Sequence, residues 1–209
     1  MQIATQGSGD FAPRHELDRL SPSAAIEAGP ATPEQLRTLA AIAKREIPGV
    51  NASAELAHLL QADPESIFSF RRAGNLLGGI AFLYLNCRGH DALLLDNVDL
   101  KNPDREFLAA SDEEVSAIYV WALAAYGRAV MGIANVAAYL RRPRFAGANY
   151  FAQPSSSAGR DLLIALGFEP IPSFQADLWC YERPWNRPSL MLPVAGFSLS
   201  PGSHADARH

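Results

Sequence analysis

Ile118-Tyr-Val-Trp-Ala-Leu-Ala-Ala-Tyr-Gly-Arg-Ala129-Val-Met-Gly-Ile-Ala-Asn-Val-Ala-Ala-Tyr-Leu140 is the stretch on which the fold turns. Its first four residues are β-branched or aromatic and suit a strand. Small residues lead to Gly127, and the apolar spacing then becomes helical up to Leu140, with Pro143 blocking continuation. The segment therefore predicts a strand, a turn and a helix over Val130 to Leu140. A second reading starts from Ser111-Asp-Glu-Glu114, which has the form of a capping box. On that reading 111–140 is one Ala-rich helix, but two interior glycines would cost it about 1 kcal/mol each. A third reading makes Val115 to Leu140 a membrane span. Arg128 near its middle costs roughly 2.5–3.5 kcal/mol on insertion, and the uncharged run before it falls short of the about 20 residues required.

Downstream, Asn149 to Gln153 reads as a strand. Pro154 and three serines then open a helix, Ser157 to Leu166, which Gly167 ends in the C′ position. Phe168 to Ile171 and Asp177 to Glu182 read as closing strands. Upstream, Ala24 to Ala28 is a candidate edge strand. Thr32-Pro33-Glu34-Gln35 supplies an N-cap, a first-turn proline and an acid against the positive helix end. Leu36, Leu39, Ala40, Ile42 and Ala43 give that helix its apolar face, and Pro48-Gly49 stops it. A second helix spans Ala52 to Gln61, with Leu56, Leu59 and Leu60 inward. Ser66 to Arg72 and Leu76 to Leu85 form a hairpin around Ala73-Gly74-Asn75. Gly78-Gly79 inside its second strand marks a bulge or close backbone approach. His90 to Leu95 reads as a short helix and Asp99 to Arg105 as a loop. The order of elements predicts an α/β (α+β) fold, a central mixed sheet flanked by helices.

The 209 residues favour one domain, with 48% hydrophobic and 19% charged residues excluding wholesale disorder. The division expected is a flexible leader over 1–22, a domain over 23–183, and a Pro/Ser-rich tail over 184–209. Eighteen Lys plus Arg against 22 Asp plus Glu give a net charge of −4, so no nucleic acid is expected as partner. Arg141, Arg142 and Arg144 follow a helix, where arginines cap and stay solvated. Cys87 and Cys180 are too few for a disulfide framework. With His15, His58, His90, His204 and His209 they show no ligand spacing, and no metal is expected. Met1 to Phe11 lacks the basic start and apolar stretch of a signal peptide. A cytoplasmic protein without membrane attachment is the expectation, with a homo-oligomer left open.

Two segments resemble signatures of the GNAT N-acetyltransferase superfamily: Ala117 to Ala129 leading into the following helix, and Ser156-Ser-Ala-Gly-Arg-Asp-Leu-Leu-Ile-Ala-Leu-Gly-Phe168-Glu169. The resemblance spans about Ala24 to Arg183 and implies a divergent member, with a mostly antiparallel mixed sheet of the acyl-CoA N-acyltransferase type. The family's first signature is Q/R-x-x-G-x-G/A. Ala124-x-x-Gly127-x-Ala129 matches its last two positions and has alanine at the first; Ala129-x-x-Gly132-x-Ala134 matches as well by letters. The former leaves a helix of ordinary length before Pro143. A tight turn entering a helix offers unpaired N–H groups and the positive end of the dipole to a pyrophosphate.

The resemblance further implies that acetyl-CoA or another acyl-CoA is co-substrate and that a small-molecule or peptide amine is acceptor. The backbone of Tyr119, Val120, Trp121 and Ala122 would hold pantetheine. The turn of Ala124, Ala125, Tyr126, Gly127, Arg128 and Ala129 would hold pyrophosphate, and Ser156 stands where the family has asparagine. Leu163 stands where the family has the tyrosine that protonates the departing thiolate, so the catalytic acid is unassigned, with Tyr150 and Tyr126 as substitutes. For the base, Glu113, Glu114 and Tyr119 lie nearest in the chain, with Asp96 and Asp99 in the insertion and ordered water as a further route. A catalytically degenerate CoA-binding or protein-interaction module is the alternative, and an assembly role for the proline-rich tail a third.

Overall fold

The computed structural model describes residues 2–4, 25–46, 52–125 and 127–183. Most of the 1–22 leader, the Pro48-Gly49 stop, Tyr126 and the 184–209 tail lie outside the described residues.

The strands are β1 (Gln2–Ala4), β2 (Glu27–Pro30), β3 (Ile67–Arg72), β4 (Asn75–Leu85), β5 (Ala117–Ala125), β6 (Asn149–Ala152), β7 (Glu169–Pro170) and β8 (Trp179–Tyr181). Their helices are α1 (Pro33–Glu46), α2 (Ala52–Ala62), α3 (Cys87–Leu94), α4 (Gly132–Tyr139) and α5 (Ser157–Ala165). The sheet runs β2-β3-β4-β5-β6-β8-β7, with β1 added beside β5. Along that path only β5 and β6 are parallel, so the sheet is mixed and mostly antiparallel, as predicted.

Local chemistry explains the elements. At the start of α1 the Gln35 side chain accepts from the Thr32 backbone N–H at 3.1 Å, half of a capping box. Leu39, Ala40, Ile42 and Ala43 are buried beneath it. Between β3 and β4 both turn residues take positive φ, 49° at Ala73 and 79° at Gly74, the geometry of a two-residue hairpin turn. A Cβ on Gly78 would lie 2.3 Å from the Ala124 carbonyl oxygen, and one on Gly79 would lie 2.6 Å from that of Phe68. The Gly78-Gly79 pair therefore permits close approach of both neighbouring strands.

The two faces of the sheet carry separate cores. On the first, α1, α2 and α3 pack Leu39, Leu56, Leu59 and Leu93 against Tyr119, Trp121 and Phe151. On the second, Val136 and Leu163, from α4 and α5, pack with Phe68, Phe70, Phe82 and Ile118.

The one-helix reading of 111–140 is overturned. The Ala110 N–H does donate to Glu113 Oε2 at 3.0 Å, but the pair closes a turn rather than a helix. Val115 N–H donates to the Arg144 carbonyl at 2.9 Å, and the chain enters β5. The membrane reading falls as well, since no helix of the described residues is long and apolar enough to cross a membrane. The predicted helix over Val130 to Leu140 is corrected to a 3-10 turn, Gly127–Met131, followed by α4. Gln2–Ala4 forms a strand within the stretch expected to be a leader.

Candidate functional site

β5 is buried along its length and borders β4 from Ala117 to Ala125. One irregularity interrupts that ladder: Ala81 pairs with Ala122 and Phe82 with Val120, so Trp121 is an extra residue, a β-bulge. The bulge puts both Trp121 and Ala122 in the first core. Its indole N–H donates to the Leu100 carbonyl at 2.8 Å, tying the insertion between β4 and β5 to the bulged strand.

The other edge of β5 is divided. β6 pairs with Ala117, Ile118 and Tyr119, ending at Tyr119–Phe151. Beyond that point the two parallel strands part, because β6 goes on pairing with β8 through Ala152. The notch begins at Val120, and Tyr119, whose backbone is expected to hold pantetheine, lies at its closed end opposite Phe151. Within the notch β1 runs parallel to β5, with Gln2 opposite Ala122, Ile3 opposite Leu123 and Ala4 opposite Ala124.

At the end of β5, Gly127 takes φ 51°, a left-handed conformation that glycine adopts without a steric penalty. Among the described residues, nothing beyond its chain neighbours lies within 4 Å of where its Cβ would be, so the turn is open on that side. Arg128 beside it is exposed and Ala129 fully buried. In the rival register, a Cβ on Gly132 would lie 2.5 Å from the Phe70 ring, so Gly132 seats α4 on the sheet. Of the two glycines, Gly127 is the one at the strand–turn junction.

On the second face, between α4 and α5, lies a cavity of about 390 Å³ bordered by Val120, Leu123, Val136, Tyr150, Leu163 and Phe168. It touches the notch through Val120 and Leu123 of β5. Leu163, standing where a family tyrosine is expected, is 1% exposed and presents only hydrocarbon. Tyr150 and Tyr181 also border the cavity. The Arg183 guanidinium donates to the Tyr150 oxygen at 2.8 Å, which leaves the phenolic proton to be given elsewhere. Burial raises the Tyr150 pKa above the ordinary phenol value, against the pull of Arg183. Ser156 caps α5, its oxygen accepting from the Gly159 N–H at 3.0 Å, so the short side chain serves a helix end.

On the first face, the Tyr119 hydroxyl donates to Gln153 Oε1 at 2.8 Å. Burial pushes its pKa far up, which removes Tyr119 as a base. Glu113 is engaged at Ala110, and Glu114 is exposed outside β5. Asp99 accepts from the Lys101 N–H at 2.9 Å in its own loop, and Asp96 sits at a positive-φ turn position. The structure brings neither acid to the notch. Sequence reasoning passed over His90, whose ring centroid lies 5.2 Å from that of Phe151, where β5 and β6 begin to part. Burial holds its pKa below the ordinary histidine value, so the imidazole is neutral at pH 7. A lone histidine on a short helix carries no sequence signal; only the fold sets it beside Phe151. Among the described residues no group of acidic, histidine and cysteine side chains is arranged for a metal ion.

No family model matches the chain, and no curated protein matches it in sequence. Solved structures do align with it. Ard1 from Thermoplasma volcanium is 15% identical with a TM-score of 0.48, covering 75% of this chain and 95% of that one. NAA60 of Arabidopsis thaliana, solved with a bisubstrate analogue, is 13% identical with a TM-score of 0.49, covering 75% and 97%. A GNAT family acetyltransferase from Brucella melitensis in complex with acetyl-CoA is 15% identical with a TM-score of 0.45, covering 75% and 87%.

Proposed function

We propose that the protein is an acyl-CoA-dependent N-acyltransferase, transferring an acetyl group to a primary amine by direct attack. The observation that carries this reading is the parting of parallel strands β5 and β6 after Tyr119–Phe151, beside an open turn at Gly127. A strand edge that its neighbour abandons offers backbone donors and acceptors to an extended, amide-bearing arm such as pantetheine. Val120, Trp121, Ala122, Ala124 and Ala125 supply that edge. The turn from Gly127 to Ala129, with exposed Arg128, suits the pyrophosphate, because 3-10 and helical first turns leave N–H groups unpaired.

In the reaction the amine nitrogen forms a bond to the thioester carbonyl carbon, and the carbon–sulfur bond then breaks. Backbone N–H groups loosened at the Trp121 bulge are suited to the intermediate's oxyanion. We assign the amine proton to His90, neutral at pH 7 on the first face, and protonation of the leaving thiolate to Tyr150 on the second. The acceptor amine, small molecule or peptide, is not specified by these residues.

Isothermal calorimetry with acetyl-CoA and with CoA tests the reading: saturable binding is expected, and silence at millimolar ligand sinks it. Thiol release across a panel of amines tests the transfer itself. A second reading, a CoA-binding module without turnover, is favoured by Leu163, which leaves the expected acid position without a proton. Binding with no thiol release from any amine supports that alternative.

A further inference from the structure

We infer that the chain's own residues 2–4 are an internal competitor for the acyl-CoA groove, so that β1 must leave β5 before the co-substrate can bind. This rests on the reading of the β5 edge as the pantetheine site.

The argument is one of edges. A strand has two, and each accepts one partner at a spacing of about 4.8 Å. β4 occupies one edge of β5 throughout. On the other, β6 takes Ala117 to Tyr119 and β1 takes Ala122 to Ala124. Of the stretch 120–125 from which β6 has withdrawn, β1 fills 122–124, and an extended ligand pairing there meets the same backbone groups. The two occupants exclude one another.

The exchange is also feasible. β1 is three residues long and among the described residues pairs with no strand except β5, whereas β6 is held from both sides by β5 and β8. So short a ladder, fixed along one edge, belongs to the low end of local stability. Because β1 belongs to the same chain, it competes at a fixed effective concentration, independent of protein concentration. Apparent affinity for acyl-CoA is the intrinsic affinity multiplied by the fraction of molecules with β1 released.

The double variant Ile3→Pro/Ala4→Pro removes two consecutive backbone N–H groups, one of which faces β5 in a parallel ladder. With β1 docked in nine molecules of ten, the variant binds CoA about tenfold more tightly than the unaltered chain. Amide exchange of the unaltered chain, followed by NMR, gives a second readout that stays decisive if the variant does not fold. Saturating CoA is expected to accelerate exchange at residues 2–4 while slowing it at 120–125. Equal affinities together with unchanged exchange at residues 2–4, in a protein that does bind CoA, overturn the inference and leave the proposed function standing. Absence of CoA binding to both proteins overturns the two together.

Discussion

Tyr119 and Gln153 are joined across the parting of two parallel strands, the phenol of one donating to the side-chain oxygen of the other at 2.8 Å. The Gln153 amide in turn donates to the Ala176 carbonyl, so the bond continues into the segment before β8. Tyr119→Phe keeps the ring in the core and deletes the bond, leaving a half-buried acceptor short of a partner. The expected loss is about 1–2 kcal/mol of stability, read as a lower midpoint in urea with unchanged slope. A variant as stable as the parent would show that the bond contributes nothing.

Gly132→Ala sets two effects against each other. Helix propensity favours alanine by about 1 kcal/mol, but the new methyl would meet the fully buried Phe70 ring at 2.5 Å. Overpacking of that kind costs about 1–3 kcal/mol, so net destabilisation is expected in thermal unfolding. The double variant with Phe70→Leu should recover part of the loss, since the two sites are in contact.

Leu163→Tyr restores a phenol at the position where the resemblance expects one. The side chain is buried, but it borders the cavity, which gives the larger ring somewhere to go. Stability should change by no more than about 1–3 kcal/mol, and under the proposed function thiol release from acetyl-CoA should rise at least tenfold. Conversely, Tyr150→Phe should lower turnover by about a hundredfold while leaving CoA affinity within a factor of two or three. Equal loss of affinity and rate would assign Tyr150 to packing.

Acid should destabilise the fold in two stages. Burial holds the His90 pKa below its ordinary value of 6.5. Below that pH the unfolded chain takes up a proton that the folded chain does not, and stability falls until the lower folded pKa is passed. His90→Gln should flatten that slope as pH falls below about 6.5. At lower pH, Glu65 is held below its ordinary 4.5, first by its hydrogen bonds from Arg142 and then by the Tyr139 hydroxyl, against the opposing effect of burial. Its contribution is present above 4.5 and is lost as pH falls through the depressed value. Urea midpoints measured from pH 7 to 3 check both stages.

What the letters disclosed was local. Thr32, Pro33 and Glu34 announced α1, and Ser156 with Gly167 bracketed α5, because caps and turns are built by neighbours in sequence. The hairpin was readable for the same reason. Failures came where distant partners decide. The first edge strand, expected at Ala24 to Ala28, lies at Glu27–Pro30 because its register against β3 sets it. Glu113 rather than the Glu114 of the Ser111–Glu114 motif closes a turn, onto the Ala110 N–H, and the chain extends, since Val115 and the following residues find β4 and the Arg144 carbonyl. β1 was invisible in a leader rich in Gly, Ser and Pro because three residues are too few to show an alternation. His90 acquires its neighbour only through the meeting of α3 with β6.

The wiring of β5 has a kinetic corollary. Each partner arrives from far along the chain: Leu85 pairs with Ala117, Ala117 with Asn149, and Gln2 with Ala122, separations of 32, 32 and 120 residues. A strand that cannot form its ladder with any sequence neighbour must wait for long loops to close, and chains of high contact order fold slowly. The β3–β4 hairpin and α1 can assemble early from local contacts. The groove between β5 and β6 is then among the last features to mature, so a newly made chain passes through a period in which its scaffold exists and the proposed acyl-CoA groove does not.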